Sequence, residues 1–270
     1  MMKKLFLASI ILSILFSTIG YAIEIGQDEW TYTLQLEGYH YRYNEKNPDT
    51  GGRFLMCNEG MMYGLNFSSE KYMPGTLFDK NWKIAAEIGI AHSDDIKYRS
   101  NGTGEADNLY FLRIEPRLLG KIEHSMYWDF YSGLGVRGLH NDFNGISTTG
   151  HRGYYRHSLY IYIPLGLVYK FPNLLSDNYK LQSHLEWNFI AYARQYTDLV
   201  GGFKNRQKHG YGIRTGLDLI KPDKKLDWIV GIFMRHWAIG DSDIYYGLLE
   251  RFLEPKNRTF EIGARAGIIF

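Results

Sequence analysis

Cysteine is almost absent. One thiol, Cys57, in 270 residues rules out an intramolecular disulfide framework. It lies in "RFLMCNEG", read as a loop, and is taken as an inert free thiol. An excess of either charge is missing as well, since 31 Lys and Arg stand against 29 Asp and Glu. A balance so close to zero argues against nucleic acid as a partner. No Walker-type loop, dinucleotide fingerprint or metal-ligand spacing occurs, and the nine histidines are scattered; no cofactor and no metal are expected. Beyond residue 22 there is no apolar run long enough to cross a bilayer as a helix.

The one apolar run opens the chain. "MMKKLFLASIILSILFSTIGYA" places Lys3 and Lys4 before an apolar stretch at 5–16 and closes on Gly20-Tyr21-Ala22. This is the layout of a secretory signal peptide cut after Ala22. Its core is shorter than the roughly 20 residues a spanning helix needs, and it carries Ser and Thr. Export is the expectation, with 1–22 removed and 23–270 forming a single domain. Loss of Lys3 and Lys4 takes Lys and Arg from 31 to 29, level with the 29 acidic residues.

What the chain does have is aromatic rings. Tyr, Phe and Trp make up 16% of the residues, with 22 tyrosines, yet mean hydropathy is −0.31. Rings without overall greasiness suit alternating strands with aromatic girdles. The last stretch, "RTFEIGARAGIIF", shows the alternation plainly. Phe260, Ile262, Ala264, Ala266, Ile268 and Phe270 share one face of an extended segment, and Glu261, Gly263, Arg265 and Gly267 share the other.

Similar segments occur at 30–43, 61–67, 82–91, 109–119, 126–139, 154–171, 179–196, 211–220 and 226–239, making ten with 258–270. They exceed the roughly six residues usual in soluble sheets and match tilted strands that cross a bilayer. Connections after the fourth, sixth and eighth are short, and those after the odd-numbered segments are longer and polar. The turn "SSEKYMPGTLFDKN" after the second departs from that rule. The expected fold is all-β: a transmembrane antiparallel up-and-down barrel of about ten strands, with eight or twelve as alternatives.

If the apolar rows face lipid, the opposite rows face the lumen. An arginine or lysine facing lipid at the midplane costs about 2–4 kcal/mol, so the charges belong inside. The inward set is Glu37, Lys83, Glu87, Arg113, Glu115, Arg117, Asp129, Arg137, Arg156, Glu186, Arg194, Arg214, Asp218, Arg235, Glu261 and Arg265. Arginine outnumbers lysine, as planar, multiply bonded ion pairs favour. A filled, ion-paired lumen is expected; a narrow water-filled channel is the alternative.

These features together resemble the outer-membrane β-barrel proteins of diderm bacteria. The resemblance is architectural and covers nearly the whole chain after residue 22. It implies outer-membrane location, with outer-membrane lipid and lipopolysaccharide as surroundings. It also implies that Phe270, Ile268, Ala266, Ala264 and Ile262 form the assembly signal read by the barrel-insertion machinery. No external ligand follows from it.

Four places carry residues that could serve chemistry or the rim. His92-Ser93, His124-Ser125 and His157-Ser158 are adjacent pairs, and neighbours on a strand point to opposite faces. Lipid A deacylase barrels, which this size class resembles, use a His-x-Ser spacing absent from these strands. His184, Glu186 and Asn188 share an inward face near the short-turn end and read as a hydrogen-bonded row. Omptin proteases resemble the chain in strand number, and Asp94, Asp95, His236, Asp241 and Asp243 supply rim residues of their types without the Asp-x-His motif. "SDIYYGLLERFLEP" carries Tyr245, Leu248, Leu249 and Phe252 at roughly helical spacing and is expected to form a rim helix. The leading expectation is a structural or surface-interaction barrel rather than an enzyme. A narrow pore and a rim hydrolase, omptin-like or lipid-modifying, are the alternatives.

Overall fold

A strand that is apolar at every second residue presents one greasy face and one polar face. The computed structural model, which describes residues 30–47, 53–176, 178–199, 202–207, 209–246 and 251–270, shows the sheet closing on itself with the polar face inward. The expected signal peptide lies outside the described residues. The strands are β1 (Trp30–Asn47), β2 (Arg53–Tyr72), β3 (Trp82–Ser100), β4 (Gly104–Glu123), β5 (Trp128–Asp142), β6 (Tyr155–Ser176), β7 (Tyr179–Thr197), β8 (Phe203–Gln207), β9 (Gly210–Lys221), β10 (Asp227–Ile239), β11 (Tyr245–Tyr246), β12 (Arg251–Phe252) and β13 (Asn257–Ile269). No α-helix occurs among the described residues.

Sheet order runs β6-β5-β4-β3-β2-β1-β13-β10-β9-β7, and β6 pairs back with β7. Closure abolishes the free edges that would otherwise invite aggregation. β8 and β9 hold one register against β7, at Ala193↔Gln207 and Phe189↔Tyr211, and so form one interrupted pass. The result is a closed, antiparallel, up-and-down barrel of ten strands. At the seam, Tyr32 and Phe270 exchange backbone hydrogen bonds of 2.8 and 2.9 Å, and their rings stack with centroids 5.6 Å apart.

The packing is inverted relative to a water-soluble domain. Leu36 is 67% exposed while its neighbour Glu37 is 4% exposed, and Ile262 is 52% exposed beside Glu261 at 0%. The same contrast recurs at Ile232, Leu118 and Leu185, so an apolar belt wraps the waist. Outward rings gather at its turn-side border, where Trp30, Tyr32 and Phe67 stack in series and Trp128 lies 4.5 Å from Tyr169.

Three expectations change. First, the expected polar loop at 92–108 is largely strand, and β3 and β4 are joined by residues 101–103 alone. Beyond the belt the outer face carries Asp94, Lys97 and Arg99 in place of apolar residues, and bulges beside Ser93 and Ile96 shift the period, so the hydropathy alternation fades while backbone pairing continues, as at Cys57↔Arg99. Second, Cys57 is therefore a buried strand residue and not a loop thiol. Third, the expected rim helix is replaced by a two-residue ladder, Tyr245↔Phe252 and Tyr246↔Arg251; Leu248 and Leu249 lie outside the described residues.

Candidate functional site: the barrel interior

The inward rows meet in one connected network of charge. Glu37 on β1 accepts from Arg113 of β4 and Arg235 of β10. Glu261 on β13 takes Arg113 at 3.2 Å and Arg235 at 3.0 Å, and also Arg137 of β5. Arg137 Nη1 reaches Glu115 at 3.3 Å, and Glu115 also accepts from Arg214 of β9. Arg214 Nε lies 3.2 Å from Glu186 of β7, which binds Arg117, and Arg117 lies 2.9 Å from Glu87 of β3. Lys121 extends the chain to Glu70 of β2. β6 joins through Tyr162, whose hydroxyl donates to Glu115 at 2.7 Å and accepts from Arg214 at 2.9 Å. Every pass of the barrel thus contributes.

Arginine suits this crowding, because its planar fork can serve two carboxylates at once. Aromatic faces complete the shell: Arg137 sits 4.9 Å from the Trp237 ring centroid, and Arg113 and Arg235 lie 5.3 and 5.4 Å from Tyr39. Two glycines make room for rings. A Cβ on Gly135 would meet Tyr162 at 2.2 Å, and one on Gly166 would meet Tyr131 at 2.0 Å. Desolvation offsets most of the attraction in such a network, so its net stabilisation is small; its clearest effect is to penalise any register that leaves a buried charge unpaired.

The lumen differs at its two ends. Toward the turns it opens into a cavity of about 390 Å³ bordered by Lys83, Lys121, Lys170, Glu123, Asp129 and Asp218 among others. Here Lys83 pairs with Glu123 at 2.9 Å, Lys170 with Asp129 at 2.7 Å, and Arg265 with Asp218 at 2.6 Å. Toward the loops the lumen is filled by Tyr39, Tyr41, Phe111, Phe143, Met56 and Met62 with their neighbours. Tyr41 and Phe111 meet edge to face at 5.9 Å, and Phe111 and Phe143 at 5.4 Å.

A polar latch covers this aromatic layer. Arg156 Nη1 donates to Glu45 at 2.7 Å and lies 3.7 Å from Glu254, which the β12–β13 connection carries into the mouth. Tyr43 donates to Glu45 at 2.6 Å. The Glu254 main chain is pinned by Ser242, whose Oγ accepts its N–H at 2.8 Å. Burial pushes the Glu254 carboxyl up to about 8; Arg156 pulls the other way, and the Glu45 carboxylate adds to the rise.

Fifteen of the sixteen expected inward residues turn toward the lumen; Arg194 does not. Pairing of β6 with β7 steps from Ile161↔Tyr192 to Tyr162↔Ile190, leaving Ala191 as an extra residue. Such a bulge reverses the alternation beyond it. Ala193 and Gln195 therefore turn inward, and Arg194 stands exposed on the outer wall. Glu45, Glu70, Lys121, Glu123, Lys170 and Glu254 belong to the interior and lie outside the expected set. All except Glu254 continue an inward row at period two, which was the available signal. Glu254 comes from a connection with no periodicity.

The other candidates are not assembled into a catalytic group. His184 Nδ1 lies 3.4 Å from Arg265 and 3.9 Å from Asp218, while Glu186 is committed to Arg117 and Arg214. Asp94 and Asp95 are exposed at a bulge in β3. His236 lies on the outer face of β10 against Tyr211, and β13, β1 and β2 separate β10 from β3. Asp241 accepts the Lys256 amide at 2.6 Å. In the pairs at 92–93 and 157–158 the histidine is exposed and the serine buried, on opposite faces. No cluster of three or more metal-ligating side chains exists among the described residues.

The chain is similar to solved barrels to differing degrees. The outer membrane protease OmpT from Escherichia coli superposes with a TM-score of 0.58 at 12% identity, over 90% of this chain and 96% of that one. The β domain of the Bordetella autotransporter BrkA gives 0.41 at 11% identity, over 87% and 98% of the two chains. The translocator domain of NalP from Neisseria meningitidis gives 0.41 at 9%, over 96% and 95%. No protein-family model and no curated protein matches the sequence. At these identities the likeness is one of fold, and in fold the chain is a ten-stranded β-barrel of the bacterial outer-membrane type.

Proposed function

We propose that the protein is an integral outer-membrane barrel with a closed lumen, acting in a structural or surface-interaction role through its loop-side end. The observation that carries this reading is the double occlusion of the interior. Arginine and glutamate side chains interlock across the middle, and an aromatic layer fills the lumen beyond it. Leu36, Ile232 and Ile262 on the outer belt are stable in hydrocarbon and a liability in water. On this reading the surroundings are outer-membrane lipid and lipopolysaccharide. The outward row Ile262, Ala264, Ala266, Ile268 and Phe270 serves as the signal for the barrel-insertion machinery.

The pore reading requires a continuous water path, which this packing opposes. The rim-hydrolase reading requires a convergent acid–base pair, and Asp94 and His236 stand on separated outer faces. Reconstitution in planar bilayers tests the proposal. Protein whose insertion is verified should give no stable conductance steps, and reproducible steps would establish a pore instead.

A further inference from the structure

The bulge at Ala191 has a chemical consequence on the outer wall. By turning Arg194 outward, it sets this residue directly opposite Arg206 of β8, and Tyr196 opposite Lys204. Arg194, Lys204 and Arg206 are all exposed. Directly opposed residues on one face have Cβ atoms about 4.5–5.5 Å apart, and like charges placed so repel. None of these three cations forms an ion pair among the described residues. Asp198, next after Tyr196 in the outward row, turns its carboxylate to the Tyr155 amide, which donates to it at 2.6 Å.

The surroundings narrow the kind of anion that these cations fit. Leu159, which faces Arg194 across the β6–β7 ladder, is 39% exposed and belongs to the apolar belt. The cations therefore stand at the loop-side border of the belt. Two aromatic platforms flank them: His157 and Tyr196 stack at 6.0 Å, and the Arg206 guanidinium lies 5.8 Å from the Tyr192 ring. A planar guanidinium pair beside an ammonium matches a tetrahedral, doubly charged oxyanion, to which arginine donates in bidentate fashion.

We infer that Arg194, Arg206 and Lys204 form a site for a phosphate group carried on a glycolipid headgroup of the surrounding leaflet. This rests on the membrane placement proposed above. The acyl chains of that lipid run down the belt below Leu159, so the site needs both parts of the molecule. Free phosphate alone is a poor occupant.

The test uses the intact protein in mild detergent with three probes: lipopolysaccharide, the same material after enzymatic removal of its phosphates, and inorganic phosphate. Lipid retained per barrel is read by native mass spectrometry. Wild type should retain the phosphorylated lipid, and the R194A/R206A variant should bind it roughly tenfold or more weakly. The dephosphorylated lipid should bind poorly to both, and inorganic phosphate should not displace the intact lipid. The R42A variant, which loses a β1 guanidinium 3.8 Å from Glu59 and separated from β7 by β13, β10 and β9, should behave as wild type. Equal retention by R194A/R206A, equal binding of the dephosphorylated lipid, or displacement by free phosphate would each overturn the site. Flotation with neutral phosphatidylcholine vesicles separates this outcome from the larger one. Failure of wild type to float contradicts the membrane placement itself. Floating protein that ignores the lipid phosphate contradicts only the site.

Discussion

Arg235 on β10 and Glu261 on β13 face each other across the ladder and meet inside the barrel, Nη1 to Oε2, at 3.0 Å. Glu261 also binds Arg113 and Arg137, so one fully buried carboxylate offsets part of three guanidinium charges. Its removal leaves buried cations short of partners. The Glu261→Ala variant should lose about 3–5 kcal/mol, the range for breaking a buried pair. Urea unfolding in lipid vesicles, followed by tryptophan fluorescence, measures it; a loss below 1 kcal/mol would mean that water reaches the network.

Gly135 gives a steric test. With a Cβ 2.2 Å from the Tyr162 ring, Gly135→Ala forces the ring off Glu115 and Arg214 and should cost about 1–3 kcal/mol. Adding Tyr162→Ala removes the clash, so the two changes should be non-additive in a double-mutant cycle. Additive losses would place the ring elsewhere.

The outer belt predicts a cost that depends on depth. Leu36→Arg puts a charge among Leu65 and Ala266 on the apolar face and should cost about 2–4 kcal/mol in a bilayer. Leu159→Arg, at the belt border, should cost less, because depth sets the penalty. Equal costs at both positions would contradict the placement of the belt.

Glu254 couples the mouth to pH. Its carboxyl is raised in the docked state to about 8 by burial and by Glu45, above the ordinary value of 4.5. A group that holds its proton more tightly when docked favours docking below 4.5. That contribution is lost as pH climbs from 4.5 through 8 and stays lost above it. Hydrogen exchange over 240–246 and 251–256 should therefore speed up across this window beyond its intrinsic pH dependence, and Glu254→Gln should flatten the extra slope. An unchanged slope in the variant would assign the effect to another group.

Much of this architecture is legible in the sequence because a membrane barrel obeys a two-residue period over long stretches. The rows containing Glu37, Arg113, Glu115 and Arg137 follow directly from that period. Arg194 escapes it because one extra residue, Ala191, is invisible to hydropathy yet inverts everything after it. Tyr39, Tyr41 and Phe111 are hidden for another reason. A ring suits either lipid or a dry lumen, and only the filled interior decides that these turn inward. The extension of β3 to Ser100 leaves the belt, where its outer face turns polar and bulges beside Ser93 and Ile96 break the two-residue period, although Ile96 itself stays buried in the lumen. Glu254 reaches the mouth by a tertiary path that no local spacing encodes.

The central claim, grease outside and charge within, is tested most directly by two single-tryptophan proteins in bilayers of brominated lipid. Trp187 is 41% exposed on the belt, and Trp237 is 2% exposed beside Arg137 in the lumen. The account predicts strong quenching of Trp187 and little of Trp237. Equal quenching of both, or protection of Trp187, would contradict it.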